Sequence, residues 1–398
     1  MKNILLFLFL PFTVFAQNNT VLFEPYMKAQ ADLYRFNGNV LVSKNGKIIY
    51  KKSFGYADYN MKKELDDNSV FDCGSITKEF TAMGILLLKD KGKISYSDTL
   101  RKLFPDLPFI NVTVQQLLTH TSGIPDGFEL IEKYFDHSKI ATNDDLIYLL
   151  ESKKPILLFK PGENLMYSGT GFNLLASIIE KISGQSYKTY MDEQIFKPLG
   201  MIHTQVVNGS RSAKNIPGYA YGYVYSDSLN KYLLADSQQS GWTTYLAGIT
   251  GEGMIITTTD DLLKWDRALK NHSLLTETTQ QEMLSLHAEK KFPAVSFGYG
   301  IRVGKNDVGN YVFHNGYYPG YTSMHLRYTD ENVTVIVLSN NEAHSEFIAD
   351  GSAAITLNKK NLLPYVHKEM VQGKVSDKYA GKNMMQLTRP PYMAFFPI

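Results

Sequence analysis

The chain has 398 residues, 44% hydrophobic and 20% charged, which is enough for one large domain or two ordinary ones with a packed core. Lysine and arginine total 41 against 39 acidic residues, a formal net charge of +2 that excludes the strongly basic balance of a nucleic-acid or acidic-membrane partner. A single cysteine, Cys73, excludes an internal disulfide framework, so stability must come from the core.

Lys2, the apolar stretch Ile4 to Phe15 and the small-residue end Val14-Phe15-Ala16 read as a signal peptide over residues 1–16, cleaved before Gln17. The apolar run is well short of the roughly 20 residues a spanning helix needs. No cysteine follows it for a lipid anchor. The expected location is periplasmic or secreted, with no stable membrane anchor.

Asn39 to Tyr50 reads as a hairpin turned by Asn45-Gly46, and Phe54 to Asp58 continues in the same strand-like register. From Ser75 to Lys91 the period changes: Ile76, Phe80, Met83 and Leu87 recur at helical spacing and Gly92 follows as a stop. Val114 to Thr119 and Asp144 to Glu151 read as short helices, and Gly171 to Ile182 as a stronger one with Gly184 beyond its end. Ile216 to Tyr245 is tyrosine-rich and irregular. Three strand runs follow, Tyr311 to His314, Tyr321 to Tyr328 and Val333 to Ser339, the last two joined by the polar turn Thr329 to Asn332. Strands at both ends around a helical middle imply one sheet built from distant pieces, with a helical insertion over roughly residues 100–250.

Three motifs carry chemistry. In Ser75-Ile76-Thr77-Lys78, positions i and i+3 share a helix face, which brings the lysine amine to the serine hydroxyl. A serine needs a base held beside it, and a lysine whose reference pKa is about 10.4 acts as one only if its surroundings lower that value. The bland reading of this motif alone is a helix N-cap serine. Tyr167-Ser168-Gly169 lies between the turn Lys160-Pro161-Gly162-Glu163 and the Gly171 helix; its tyrosine can act as a second base or as the acid for a leaving group, or be one more aromatic among 26 tyrosines. His314-Asn315-Gly316 ends a strand run; Gly316 would let a substrate backbone approach, and the imidazole can donate a hydrogen bond or be an ordinary strand-end histidine. Cys73 reads as a small buried hydrophobe and His120 as a structural hydrogen-bonding histidine. No metal-ligand spacing and no phosphate-cradling glycine loop is present, so no metal and no cofactor are expected.

Taken together and in this order, the motifs resemble the class C β-lactamase and penicillin-binding-protein-like serine hydrolases. The resemblance runs over roughly residues 20 to 345 and includes Phe71 to Lys78, Leu117 to Ile124, Phe159 to Gly162 before Tyr167, Pro198 to Met201, Thr257 to Trp265 and His314 to Gly316. It implies an α+β fold of the β-lactamase/DD-peptidase type, an antiparallel sheet flanked by helices plus an all-helical part, with the site in the cleft between them. The hydrolase domain is expected over residues 17–355. The tail 356–398 is expected to be either a truncated remnant of a β-domain packed on the surface or partly disordered, since Val375 to Gly381 resembles the opening strand of a small barrel and only 17 residues follow it.

Residue by residue, the resemblance implies that Ser75 forms an acyl-enzyme and that Lys78 and Tyr167 move its protons. It implies that the backbone N–H groups of Ser75 and Tyr317 form the oxyanion hole. Gly169, Asn315, Gly316 and His314 are then expected to line the substrate. Two departures stand out. Gly169 occupies the third place of the tyrosine motif, where relatives carry an asparagine that holds the lysine and a substrate amide carbonyl; Asn173 is a candidate substitute. His314 stands where many relatives carry a carboxylate-binding lysine, and a neutral imidazole is a poorer anion partner. The expected activity is acyl-serine hydrolysis of a D-amino-acid peptide, as in a D-Ala carboxypeptidase or D-aminopeptidase, or of a small ester. A non-catalytic binder of penicillin or peptidoglycan fragments is the alternative, and a β-lactamase a weaker one.

Overall fold

The computed structural model describes residues 22–207, 216–226, 228–237, 242–291 and 294–359. The expected signal peptide and residues 360–398 of the expected tail lie outside these. Among the described residues no helix is long and apolar enough to cross a membrane.

The helix α1 (Phe23–Tyr34) leads into strands β1 (Gly38–Lys44) and β2 (Lys47–Phe54). Asn45 and Gly46 both take positive φ, 53° and 75°, the mirror-image turn that matches the twist of a hairpin. Contrary to the sequence reading, the strand breaks at Gly55 (φ 83°), whose missing Cβ makes room for the Asn37 amide. The chain resumes as a separate short strand, Tyr56–Asp58, paired with Lys63–Glu64.

The remaining strands of the main sheet come late: β3 (Ala288–Lys291), β4 (Ala294–Phe297), β5 (Arg302–Asn306), β6 (Gly309–Tyr318), β7 (Tyr321–Tyr328) and β8 (Val333–Ser339). The eight-stranded antiparallel order is β3-β4-β5-β6-β7-β8-β1-β2, so β8 pairs with β1 from Gly38 opposite Ser339 to Lys44 opposite Val333. All seven residues of β8 are buried, which explains its unbroken apolar run: both faces of the sheet are covered. Val40, Val42, Val335 and Val337 pack against α1 and the C-terminal helix α5 (Ser345–Leu357). Leu41, Ile336 and Leu338 point the other way, into the larger core shared with the helices α2 (Thr77–Asp90), α3 (Gly169–Ser183) and α4 (Thr259–Asn271).

The helical middle follows its local signals. Val114–Leu118 starts with a capping box between Thr113 and Gln116, and Asn143–Lys153 with one between Thr142 and Asp145. Ser168 caps α3 by accepting from Gly171 N–H at 3.2 Å, and Gly184 closes it at φ 72°. The tyrosine-rich segment is less irregular than its sequence suggests, since Tyr223–Ser226 pairs with Lys231–Leu234.

Strand β6 also runs further than the pattern indicates. It does not end at His314; Asn315 and Gly316 continue the ladder opposite Met324 and Ser323, up to Tyr318 opposite Tyr321.

Candidate active site

Ser75 sits in a single 3-10 turn, Gly74–Ile76, immediately before α2. It caps nothing: neither turn nor helix has a side-chain cap, and the Ser75 hydroxyl instead accepts from Lys78 Nζ at 3.1 Å. The turn is held by β6. A Cβ at Gly74 would lie 2.7 Å from the Tyr317 nitrogen, and one at Gly316 would lie 2.1 Å from the Cys73 carbonyl oxygen. These two glycines let the turn and the strand meet backbone to backbone, which sets Tyr317 beside the serine turn. Ser323 on β7 adds a hydrogen bond to the Cys73 carbonyl at 2.8 Å. The space above Gly316 is therefore filled by the chain itself rather than left for a substrate. Cys73 is buried, as its sequence setting suggests.

Lys78 is fully buried. Beyond Ser75, its ammonium donates to the Glu252 carbonyl at 2.8 Å and to Glu252 Oε2 at 3.1 Å, and it lies 4.9 Å from the centroid of the Tyr167 ring. Burial alone would push its pKa down, but Tyr167 and Glu252 outweigh burial, and the net direction is up. The lysine is thus favoured as an ammonium, the opposite of what a free-standing lysine base requires.

Tyr167 is placed by His120. The His120 carbonyl accepts from Met166 N–H at 2.9 Å, and its Nδ1 accepts from Ser168 N–H at 3.1 Å, so one residue clips the backbone on both sides of the tyrosine. The two rings also stack, with centroids 4.5 Å apart. His120 adopts a left-handed conformation, φ 59°, to do this. Its role is structural, as the sequence suggests, and it bears directly on the tyrosine motif.

His314 is buried on the cleft face of β6, its ring 6.2 Å from that of Tyr167. Nδ1 lies 2.7 Å from the Asn315 carbonyl oxygen, and because a carbonyl only accepts, that nitrogen carries the proton. Nε2 is then a lone pair, buried and without a hydrogen-bond partner among the described residues, an acceptor rather than the donor expected from sequence. Burial first, then the positive charges of Arg302 and Lys78, hold the imidazole neutral well below its usual range. Arg302 lies over this wall, its guanidinium 5.9 Å from the Tyr167 centroid.

Asn315 departs from expectation. Side chains alternate along a strand, and its amide points to the opposite face, donating to Glu346 on α5 at 2.9 Å. Asn173 does not stand in for the missing asparagine either: its amide donates to the Thr250 carbonyl at 2.9 Å.

The residue that sequence reasoning missed is Glu252. A Cβ at Gly169 would lie 2.8 Å from Glu252 Oε2, so the carboxylate occupies the space into which a side chain at 169 would project. Its loop is firmly held. Asn143 accepts from Thr250 N–H at 2.8 Å, Thr81 donates to the Gly251 carbonyl at 2.6 Å, and Gly251 takes φ 102°, where a Cβ would collide with the Phe172 carbonyl. The glycine at 169 was the only sequence signal that another residue had to enter this space.

Among the described residues no group of three or more His, Cys, Asp or Glu side chains is arranged to hold a metal ion.

A family model, Beta-lactamase, matches residues 22–357. Penicillin-binding protein 4* of Bacillus subtilis is 37% identical over 333 residues, covering 83% of this chain and 74% of that protein. Among solved structures, the octameric penicillin-binding protein homologue from Pyrococcus abyssi matches with a TM-score of 0.76 at 27% identity, over 88% of this chain and 81% of that one. A penicillin-binding protein from Bacillus halodurans matches with a TM-score of 0.72 at 28% identity, over 83% of this chain and 98% of that one. With its mixed fold and the Ser75–Lys78 pair at the cleft, the chain belongs to the beta-lactamase family, among the class C and penicillin-binding-protein-like serine hydrolases.

Proposed function

We propose that the chain hydrolyses an amide or ester bond of a D-amino-acid derivative through an acyl intermediate on Ser75, after export from the cytoplasm. The observation that carries this reading is the 3.1 Å contact between Lys78 Nζ and Ser75 Oγ, made beside Tyr167. Ser75 Oγ bonds to the substrate carbonyl carbon as its proton passes to the Lys78–Tyr167 pair, in the form of the pair that is short of one proton. That proton then goes to the leaving nitrogen or oxygen as its bond to carbon breaks. Water attacks the acyl carbonyl, gives a proton to the same pair, and the Ser75 oxygen leaves and is reprotonated. The protonation steps belong to the coupled pair rather than to either side chain. Backbone N–H groups of Ser75 and Tyr317 would hold the oxyanion, a contribution of about 3 kcal/mol for a single donor.

The substrate carboxylate is a weak candidate for recognition, since His314 offers it a lone pair. This favours an amidase, aminopeptidase or esterase over a carboxypeptidase or β-lactamase. Incubation with a serine-directed phosphonate, read by intact mass, should add one phosphonyl group to wild type and none to Ser75→Ala. Absence of an adduct on wild type would overturn the reading in favour of an inert binder.

A further inference from the structure

The position of Glu252 changes what the cleft can accept. Relative to the asparagine expected at 169, a carboxylate in the same space is negatively charged and accepts hydrogen bonds only. Oε2 faces Lys78, whereas among the described residues Oε1 has no hydrogen-bond partner. The Glu252 side chain keeps a quarter of its surface exposed while Lys78 is sealed beneath it. Lys78 is the one residue between this carboxylate and the nucleophile, since its Nζ contacts both Ser75 Oγ and Glu252 Oε2 at 3.1 Å.

On the opposite wall, His314 is 1% exposed, and its Nε2 has no partner among the described residues. With its Nδ1 proton committed to Asn315, it too is an acceptor. Lys78 and Arg302 are the cations of this site, both near the Tyr167 ring, and Lys78 is already paired with Glu252 Oε2. The partly exposed Glu252 carboxylate, with Oε1 left over, is the group here that suits a substrate donor, above all a positive one. An α-ammonium is two bonds from the carbonyl carbon that Ser75 attacks, the right span for a group that must reach a carboxylate one residue away from the nucleophile.

We propose that Glu252 is the specificity-determining residue of this site and selects substrates with a free α-amino group on the acyl side of the scissile bond, rejecting N-acylated ones. The proposal rests on the hydrolase reading above and names its substrate class.

The test uses a matched pair of probes, the diphenyl ester of D-1-aminoethylphosphonate with its amine free and the same compound N-acetylated. Second-order rate constants for labelling Ser75 are measured by intact mass on wild type, Glu252→Gln and Glu252→Asp, with far-ultraviolet circular dichroism confirming the fold of each. Wild type should prefer the free amine. That preference should fall about ten- to a hundredfold in E252Q, the loss of one charge-assisted hydrogen bond, and be largely kept in E252D. The ratio cancels any general slowing caused by disturbing Lys78. An unchanged ratio in folded, labelled E252Q would overturn the assignment while leaving the hydrolase reading intact. Failure of both probes to label wild type would overturn that reading, and this proposal with it.

Discussion

His314 is tied to its own neighbour, with Nδ1 2.7 Å from the Asn315 carbonyl oxygen, and this fixes which nitrogen is left for the cleft. The same burial that fixes it makes the ring costly to charge. His120, buried behind Tyr167 near Lys78, is likewise held neutral well below its usual range, by burial first and then by the Lys78 charge. A histidine whose pKa falls on folding lends stability that is present above its unfolded value of about 6.5 and is lost as pH drops below it. Urea midpoints should therefore decline from about pH 7 towards pH 5, and the decline should be shallower in His314→Gln. An equal slope in the variant would show that His314 is not one of the groups responsible.

On the alkaline side the sign reverses. His325 on β7 lies between Glu79 (Nδ1 to Oε2, 3.0 Å) and Asp266 (Nε2 to Oδ1, 3.4 Å), while Trp265 donates to the same Glu79 oxygen at 2.7 Å. Burial opposes the charge on His325, but Glu79 and Asp266 overcome it and raise the pKa to about 10. Its stabilising contribution is complete below about pH 6.5 and should shrink between there and about pH 10. His325→Gln should cost about 3 to 5 kcal/mol near neutrality, because it leaves buried Glu79 without its cation and Asp266 with Arg327 alone, and should flatten this alkaline decline.

His120→Ala should slow phosphonyl labelling of Ser75 roughly tenfold or more by releasing the Nδ1 clip on Ser168 N–H and the ring stacked on Tyr167, while the backbone clip on Met166 remains. A purely structural defect would lower the melting temperature and leave the pH dependence of labelling as it was. A positioning defect changes that dependence. His120→Asn, which keeps an acceptor for Ser168 N–H, should recover part of the rate.

Two glycines should respond differently to a methyl group. In Gly316→Ala the new Cβ meets backbone, the Cys73 carbonyl oxygen at 2.1 Å, so strand and serine turn must separate. A loss of about 1–3 kcal/mol and of most Ser75 labelling is expected. In Gly169→Ala the obstacle is the end of the Glu252 side chain, at 2.8 Å, which can swing aside. Its denaturation midpoint should stay close to wild type while the Glu252–Lys78 contact weakens, visible as a changed pH profile of labelling.

Local rules made much of this fold legible. Ser75 and Lys78 are three positions apart on one turn, Asn45-Gly46 can only be a tight hairpin turn, and the unbroken run of β8 announces a strand buried on both sides. What was not legible depended on distant partners. Glu252 lies in a glycine-flanked loop with no periodicity of its own, fixed by Asn143, Asn173 and Thr81 from elements far apart in the chain. The protonation bias of Lys78 likewise required knowing that a carboxylate lies against it. The misplacement of Asn315 had a local remedy, because strand alternation alone sends it to the face opposite His314.

The pairing of β1 with β8 sets a condition on how the molecule is made. Val40 lies opposite Val337 in the middle of this ladder, which joins two segments nearly the full length of the domain apart. Closing so large a loop is entropically costly and places the chain among slow, high-contact-order folders. A nascent chain can form α2, α3 and their neighbours as they emerge from the ribosome, but the sheet, and with it the wall that carries His314 and Tyr317, waits until β8 has been synthesised. The nucleophile is therefore made early and stays without half of its site until the strand that ends at Ser339 has been synthesised.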